Sequence, residues 1–197
     1  MMMSTEDMLQ KFSNDASHPT EVRRLSMMIF DEVCEKVIGL PDRYRDYLEA
    51  AALLHDIGYY VDSKSHNKES QKLILEYGLK DFTSQETKII SCIARYHRGG
   101  LPDKREHEVY NTLEKTERKI VKRLAGILKL ADGLDRAHLS LIKKIKLNYN
   151  SEDKIVEFIL TPNTCEYTPD ISSAIRKRDL FELGFKLQSV LKFAHKM

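Results

Sequence analysis

Two places where polar residues interrupt apolar sequence mark where this chain could do chemistry. In AAALLHDIGYY, His55 and Asp56 break an otherwise apolar helix end. A carboxylate buried there without a partner costs on the order of several kcal/mol. Asp56 therefore needs a cation, a metal or dense hydrogen bonding, and a His–Asp pair that simply locks two helices together would also serve. In RLAGILKLADGLDRAH, Ala125, Leu128 and Asp132 fall on one helical stripe, with Asp135 and Arg136 a turn later. An acid ion-paired to Arg136 at helical spacing is the ordinary alternative. Three further histidines stand at helix ends. His18 opens HPTEVRRLS, His66 opens HNKESQKLI and His97 closes ARYHRGG, where a protonated ring would face the helix dipole favourably. Each alone reads as a surface residue. Together they place a His or Asp near one end, or on a buried stripe, of several helices. Facing helices of a bundle build metal sites in this way. Imidazoles with carboxylates suit Mn, Fe, Co or Zn rather than Ca.

The elements that must position these residues are mostly helical. Pro19 suits a first helical position, and Val22, Leu25, Ile29, Val33 and Val37 follow at helical spacing until Gly39. Pro41 begins a second helix, with Tyr44, Leu48, Ala51, Ala52 and Leu54 on its apolar face. A third is predicted over 65–77, stopped by Gly78. Thr83 and Glu86 form a capping box for a fourth that ends near His97. After a charged loop over 99–111, a long helix is predicted over 117–138. The period then changes. Ile145, Leu147 and Tyr149 alternate with polar residues, as do Val156, Phe158 and Leu160 with their neighbours, which predicts a β-hairpin turning at 150–153. Residues 170–195 return to helical spacing. The expected fold is mainly α: a helical bundle domain over 1–140, and a small α/β subdomain over 141–197, packed on it or at a dimer contact.

Composition narrows the function classes. The chain has 197 residues, 42% of them hydrophobic, enough for a core without staples. Lysine and arginine number 32 against 30 acids, so the net charge is only +2 and a nucleic-acid partner is not expected. Cys34, Cys92 and Cys165 are widely spaced, which indicates neither a disulfide framework nor a cysteine zinc site. The acidic start MMMSTEDMLQKF does not read as a signal segment, and no apolar run is long enough for a membrane span. A cytoplasmic location is the expectation.

The ordered set of His18, His55-Asp56 and Asp132 in a helical chain resembles the HD superfamily of metal-dependent phosphohydrolases. More narrowly, HPTEVRRLSMMIFD, AAALLHDIGYYVD, SHNKESQKLIL, ARYHRGGLPDK, KRLAGILKLADGLDRAH and RKRDLFELGFKLQ are similar to the C-terminal half of exopolyphosphatase/guanosine pentaphosphate phosphatase proteins, over roughly 15–195. The resemblance implies an HD-type bundle with a metal held by His18, His55, Asp56 and Asp132, one ion or two in all, His66 and His97 being the residues for a second. Mn, Fe, Co or Zn is implied, with Mg as an alternative. Two departures stand out. HD-GYP-type relatives close the second segment with His-His, where this chain has Tyr96-His97, and exopolyphosphatase-like relatives often carry a second His where Glu69 stands, a candidate substitute ligand. The Gly-rich phosphate loops of the actin-like catalytic half of those enzymes are absent from this sequence, so exopolyphosphatase activity is not carried over.

The implied activity is hydrolysis of a phosphate ester or anhydride, of a nucleotide or related phosphorylated small molecule, by a metal-activated water. Asp56 and Asp135 are the candidate catalytic carboxylates, with Asp135 orienting water or pairing with Arg136. Arg95, Arg98, Arg136 and Lys68 neighbour the ligands in sequence and suit phosphate contacts. His66 and His97, if protonated, would contact phosphate instead of metal. The competing class is a non-catalytic module that binds an alarmone or polyphosphate, with Lys143, Lys144, Lys146 and Arg176, Lys177, Arg178 as its basic clusters. The apolar tail residues Ile171, Leu180, Phe181, Phe185, Leu187, Leu191 and Phe193 serve either packing or a homodimer contact.

Overall fold

The computed structural model describes residues 2–163 and 166–194; Cys165 and the end of the 170–195 stretch lie outside them. Nine helices are described: α1 Thr5–Phe12, α2 Ser17–Lys36, α3 Asp42–Leu54, α4 His66–Tyr77, α5 Ser84–Arg95, α6 Glu108–Asn111, α7 Lys115–Leu134, α8 Ser172–Lys177 and α9 Asp179–Phe185. A 3-10 turn, Ile57–Tyr60, follows α3. The strands are β1 Ile142–Asn150, β2 Ile155–Pro162 and β3 Gln188–Phe193. Among the described residues, no helix is long and apolar enough to cross a membrane.

Local signals place the helix starts. The Ser4 hydroxyl accepts the Asp7 N–H at 3.0 Å to begin α1, a helix the sequence reading leaves out. The capping box expected at Thr83 and Glu86 is present, and a second one, of Glu114 and Glu117, starts α7.

The core is organised around α7. From Leu124 to Leu134 every residue of α7 is buried, as befits a helix covered on all sides. Helices α2, α3 and α5 pack against it, and so do α8 and α9 from the tail. That second packing depends on missing side chains. A Cβ on Gly126 would lie 2.6 Å from the Phe181 Cα, and one on Gly133 would lie 2.7 Å from the Ala174 Cα. The tail helices therefore rest on the backbone of α7. Lys129 adds an ion pair to Asp179 at 2.8 Å.

Two expectations change. The long helix stops at Leu134, four residues before His138, because the Asp135 carboxylate takes the Ser140 N–H at 2.9 Å and turns the chain. The hairpin of β1 and β2 gains a third strand. β3 runs parallel to β2, pairing Phe158 with Leu191, and the sheet order is β1-β2-β3. Residues 188–193 are thus a strand, not part of a helix. Their inward positions are Ser189, Leu191 and Phe193, and the polar Ser189 hides the alternation. Ser189 is buried because the Glu182 carboxylate accepts both its N–H and its hydroxyl, each at 2.8 Å. Of the tail's apolar residues, Leu180 and Phe181 are fully buried, and the α8–α9 layer packs on α7.

Candidate metal centre

His55 caps the end of helix α3, and Asp56 leads into the 3-10 turn. Ser70 of α4 clips this turn in place. Its hydroxyl donates to the His55 carbonyl at 2.6 Å and accepts the Gly58 N–H at 2.9 Å. Gly58 is required for the approach, since a Cβ there would sit 1.9 Å from the His66 carbonyl oxygen. The start of α4 is thereby pressed onto the turn, and His66 comes beside Asp56. His97 arrives from the end of α5, His18 from the first turn of α2, and Asp132 from α7.

Asp56 stands between two groups of imidazoles. Its Oδ2 lies 3.5 Å from His55 Nε2 and 3.8 Å from His18 Nε2. Its Oδ1 lies 3.4 Å from both His66 Nε2 and His97 Nε2. Asp132 Oδ1 is 3.3 Å from His18 Nε2 and 4.0 Å from His55 Nε2. Two ligand sets of metal-binding size result, His18–His55–Asp56 and Asp56–His66–His97, sharing Asp56.

The outer hydrogen bonds assign the tautomers. His55, His66 and His97 each direct Nδ1 at a backbone carbonyl three residues earlier, at 2.7, 2.9 and 2.7 Å. A carbonyl only accepts, so Nδ1 carries the proton and Nε2 presents a lone pair. His55 is 0% exposed, and its Nε2 is buried with no hydrogen-bond partner. The Nε2 atoms of His66 and His97 face each other at 3.2 Å, lone pair to lone pair. Burial pushes the His97 imidazole down to about 3 and also lowers His66. Both shifts act against the protonated ring that a phosphate contact by His66 or His97 would need. An unpaired buried nitrogen and two converging lone pairs beside ionised carboxylates are what a divalent metal satisfies, so the residues present fit such an ion.

The carboxylates keep their charge. Burial works against Asp132, but His18 and Lys177 hold it well below the usual carboxylate range. Asp56 is likewise lowered, its neighbouring imidazoles outweighing its burial. For His18 burial is also opposed, and Asp132 with Asp135 raises it to about 9.

Other expected site residues divide. Arg98 and Arg136 line a cleft of about 240 Å³ over the cluster. Arg95 does not reach it, because its guanidinium bonds Gln71 Oε1 at 3.0 Å. Lys68 is exposed and lines no part of this cleft, and Glu69 pairs with Lys72 at 2.7 Å rather than joining the ligands. Asp135, 3% exposed, accepts from His18 Nδ1 at 2.8 Å and lines no part of the cleft. It is set behind His18, away from the cleft where a catalytic carboxylate was expected.

Sequence reasoning missed Ser173, Tyr59 and His138, which also line this cleft, as do Arg176 and Lys177, which it placed in a basic cluster of the competing binding module. Lys177 pairs directly with Asp132. The basic run 176–178 was visible, but nothing local ties it to a residue 45 positions earlier. The other cluster stays apart, with Lys146 paired to Glu32.

A comparison with curated proteins finds no match. The family model for Ppx/GppA phosphatase, domain III, matches residues 2–172. That span takes in every ligand of the cluster and most of the helices that carry them, and the chain belongs to the Ppx/GppA phosphatase domain III family.

Proposed function

We propose that this chain is an HD-type, metal-dependent phosphohydrolase acting on a phosphate ester or anhydride. The observation that carries the reading is the orientation of the imidazoles. His55, His66 and His97 spend their Nδ1 protons on backbone carbonyls and turn bare Nε2 atoms toward Asp56. A buried pair that only locked helices would use those nitrogens in hydrogen bonds, and His55 Nε2 has none. His18, His55, Asp56 and Asp132 would hold one ion and Asp56, His66 and His97 a second, with Mn, Fe, Co or Zn suited to the donor set and Mg the alternative. Such an ion supplies Lewis acidity and a water of lowered pKa.

The chain's own residues do the rest. Asp135 fixes the His18 ring so that Nε2 faces the ligand cluster. Arg98, Arg136, Arg176 and Lys177 ring the same cleft and would bind phosphoryl oxygens, the guanidiniums in bidentate fashion. Tyr59 and His66 stack at 4.0 Å between centroids, which shields one ligand from bulk water.

The test is metal analysis of the purified protein with phosphate release measured on nucleotides, cyclic nucleotides and simple phosphomonoesters. Stoichiometric transition metal with turnover of at least one class is expected, and Asp56→Ala should abolish both. Wild-type protein that takes up no transition metal would sink the reading. Tight ligand binding with no turnover under any metal would replace it with the regulatory binding module.

A further inference from the structure

Between Leu124 and Leu134 every residue of α7 is buried, and only Lys129 and Asp132 are charged. Asp132 belongs to the ligand cluster. Lys129 is 4% exposed and lines no part of the cleft over Asp56. A buried ion pair is often no more stabilising than well-packed apolar side chains of similar volume, so stability alone does not call for an ammonium here. Its partners do. Nζ donates to Asp179 Oδ1 at 2.8 Å, to Asp179 Oδ2 at 3.1 Å and to the Gly99 carbonyl at 3.3 Å, which engages each of its three N–H groups. None of these partners is a candidate metal ligand.

The two partners stand next to the cations of the cleft. Gly99 follows Arg98 directly, and its φ of +84° is a conformation that favours glycine. Asn67 of α4 holds the same turn, donating from Nδ2 to the Arg95 carbonyl at 3.0 Å and the Arg98 carbonyl at 3.3 Å. Asp179 opens α9, just after Arg176 and Lys177 at the end of α8. One ammonium thus joins the turn that carries Arg98 to the tail that carries Arg176 and Lys177. Cations around one cleft repel each other, and a tie between the segments that bear them opposes that repulsion. We propose that Lys129 is a positioning residue for phosphate binding, which sets the spacing of Arg98 from Arg176 and Lys177 and does not itself touch the ligand. This rests on the phosphohydrolase reading for what those cations bind.

Calorimetry on the Mn²⁺-loaded full chain measures the affinity for inorganic phosphate, alongside the affinity for Mn²⁺ and the kinetics of p-nitrophenyl phosphate hydrolysis. Lys129→Met keeps the bulk of the side chain and drops its charge. It should weaken phosphate binding about tenfold, the order of one charge-assisted hydrogen bond to the ligand, and raise KM to match. The kcat and the Kd for Mn²⁺ should stay near their wild-type values, because the ligand cluster is untouched. Asp179→Asn cuts the same tie from its exposed side, should give the same loss, and carries the comparison if Lys129→Met does not fold. The double variant should be no worse than either, since the two residues act as one unit. Unchanged phosphate affinity in both variants, a loss confined to kcat or to Mn²⁺ affinity, additive losses in the double variant, or wild-type protein that binds no phosphate would overturn the role of Lys129. Phosphate binding that the variants lose, with no hydrolysis by the wild type, leaves that role standing and removes the phosphohydrolase reading. Hydrolysis with an unchanged KM in the variants does the reverse.

Discussion

His18 has a carboxylate on each ring nitrogen, Asp135 at 2.8 Å on Nδ1 and Asp132 at 3.3 Å from Nε2. The first is a hydrogen bond that orients the ring, and the second is a neighbour that would share a metal with it. Outer partners of this kind typically hold tenfold to a hundredfold of metal affinity, so Asp135→Asn should weaken Mn²⁺ binding by roughly that range. Loss of the Asp135 charge should also lower the His18 pKa from about 9 in metal-free protein, which a histidine NMR titration reads directly. Unchanged metal affinity together with an unchanged His18 titration would make Asp135 a packing residue only. The convergence of the six candidate ligands was legible in the sequence because each is a polar residue in an apolar stretch or at a helix end. Lys68 and Arg95 misled for different reasons. Lys68 lies two residues from His66 on α4, roughly 200° around the axis and so on another face, while Arg95, the last residue of α5, is held by Gln71. Arg98 lies past the end of α5 and Arg136 past the end of α7, where that rule no longer applies.

At the scale of elements, the centre depends on holding α3 and α5 in register, since their C-terminal ends deliver His55, Asp56 and His97. Glu86 does much of this from the N-terminal end of α5. Its carboxylate takes Arg43 Nε at 2.8 Å and Nη2 at 3.1 Å, the Tyr47 hydroxyl at 2.8 Å and the Thr83 N–H at 2.7 Å. Arg43 outweighs partial burial, and with Thr83 and Tyr47 holds the carboxyl down to about 2. Because the folded value lies below the ordinary 4.5, the stabilisation is complete above pH 4.5 and is lost as pH falls through about 2. Glu86→Gln should therefore cost about 1 kcal/mol near neutrality, with solvent screening keeping the effect small at this part-exposed site. The gap between wild type and variant should close between pH 4.5 and 2 in urea denaturation. A gap that stays constant across that window would assign the effect to packing. The capping box at Thr83 was legible because its signal is local, four residues long. The end of α7 and strand β3 were not, because the turn at Asp135 rests on its side-chain bond to the Ser140 N–H, which helical periodicity does not reveal, and Ser189 is satisfied by Glu182 of a preceding helix.

Across the whole molecule, the ligands come from five separated segments, His18, His55-Asp56, His66, His97 and Asp132, and the tail adds Arg176 and Lys177 through helices seated on Gly126 and Gly133. No unfolded chain presents this set together, so the proposed metal binding would be coupled to folding of the entire described body. A ligand that binds only the folded state adds about 2.7 kcal/mol at a hundred times its Kd. For a chain of this length that corresponds to roughly 5–10 °C in Tm. Chelator-treated protein should thus gain about that much on addition of Mn²⁺ or Zn²⁺ at a hundredfold excess over Kd, and chelation should reverse it. Asp56→Ala removes the carboxylate shared by both ligand sets, so its melting curve should no longer respond to the metal. Mg²⁺, which demands octahedral oxygen coordination, should move the wild-type curve least. Scanning calorimetry decides among these outcomes. A wild-type Tm indifferent to every transition metal would mean that the five segments converge for hydrogen bonding alone, and a response retained in Asp56→Ala would place the metal elsewhere in the molecule.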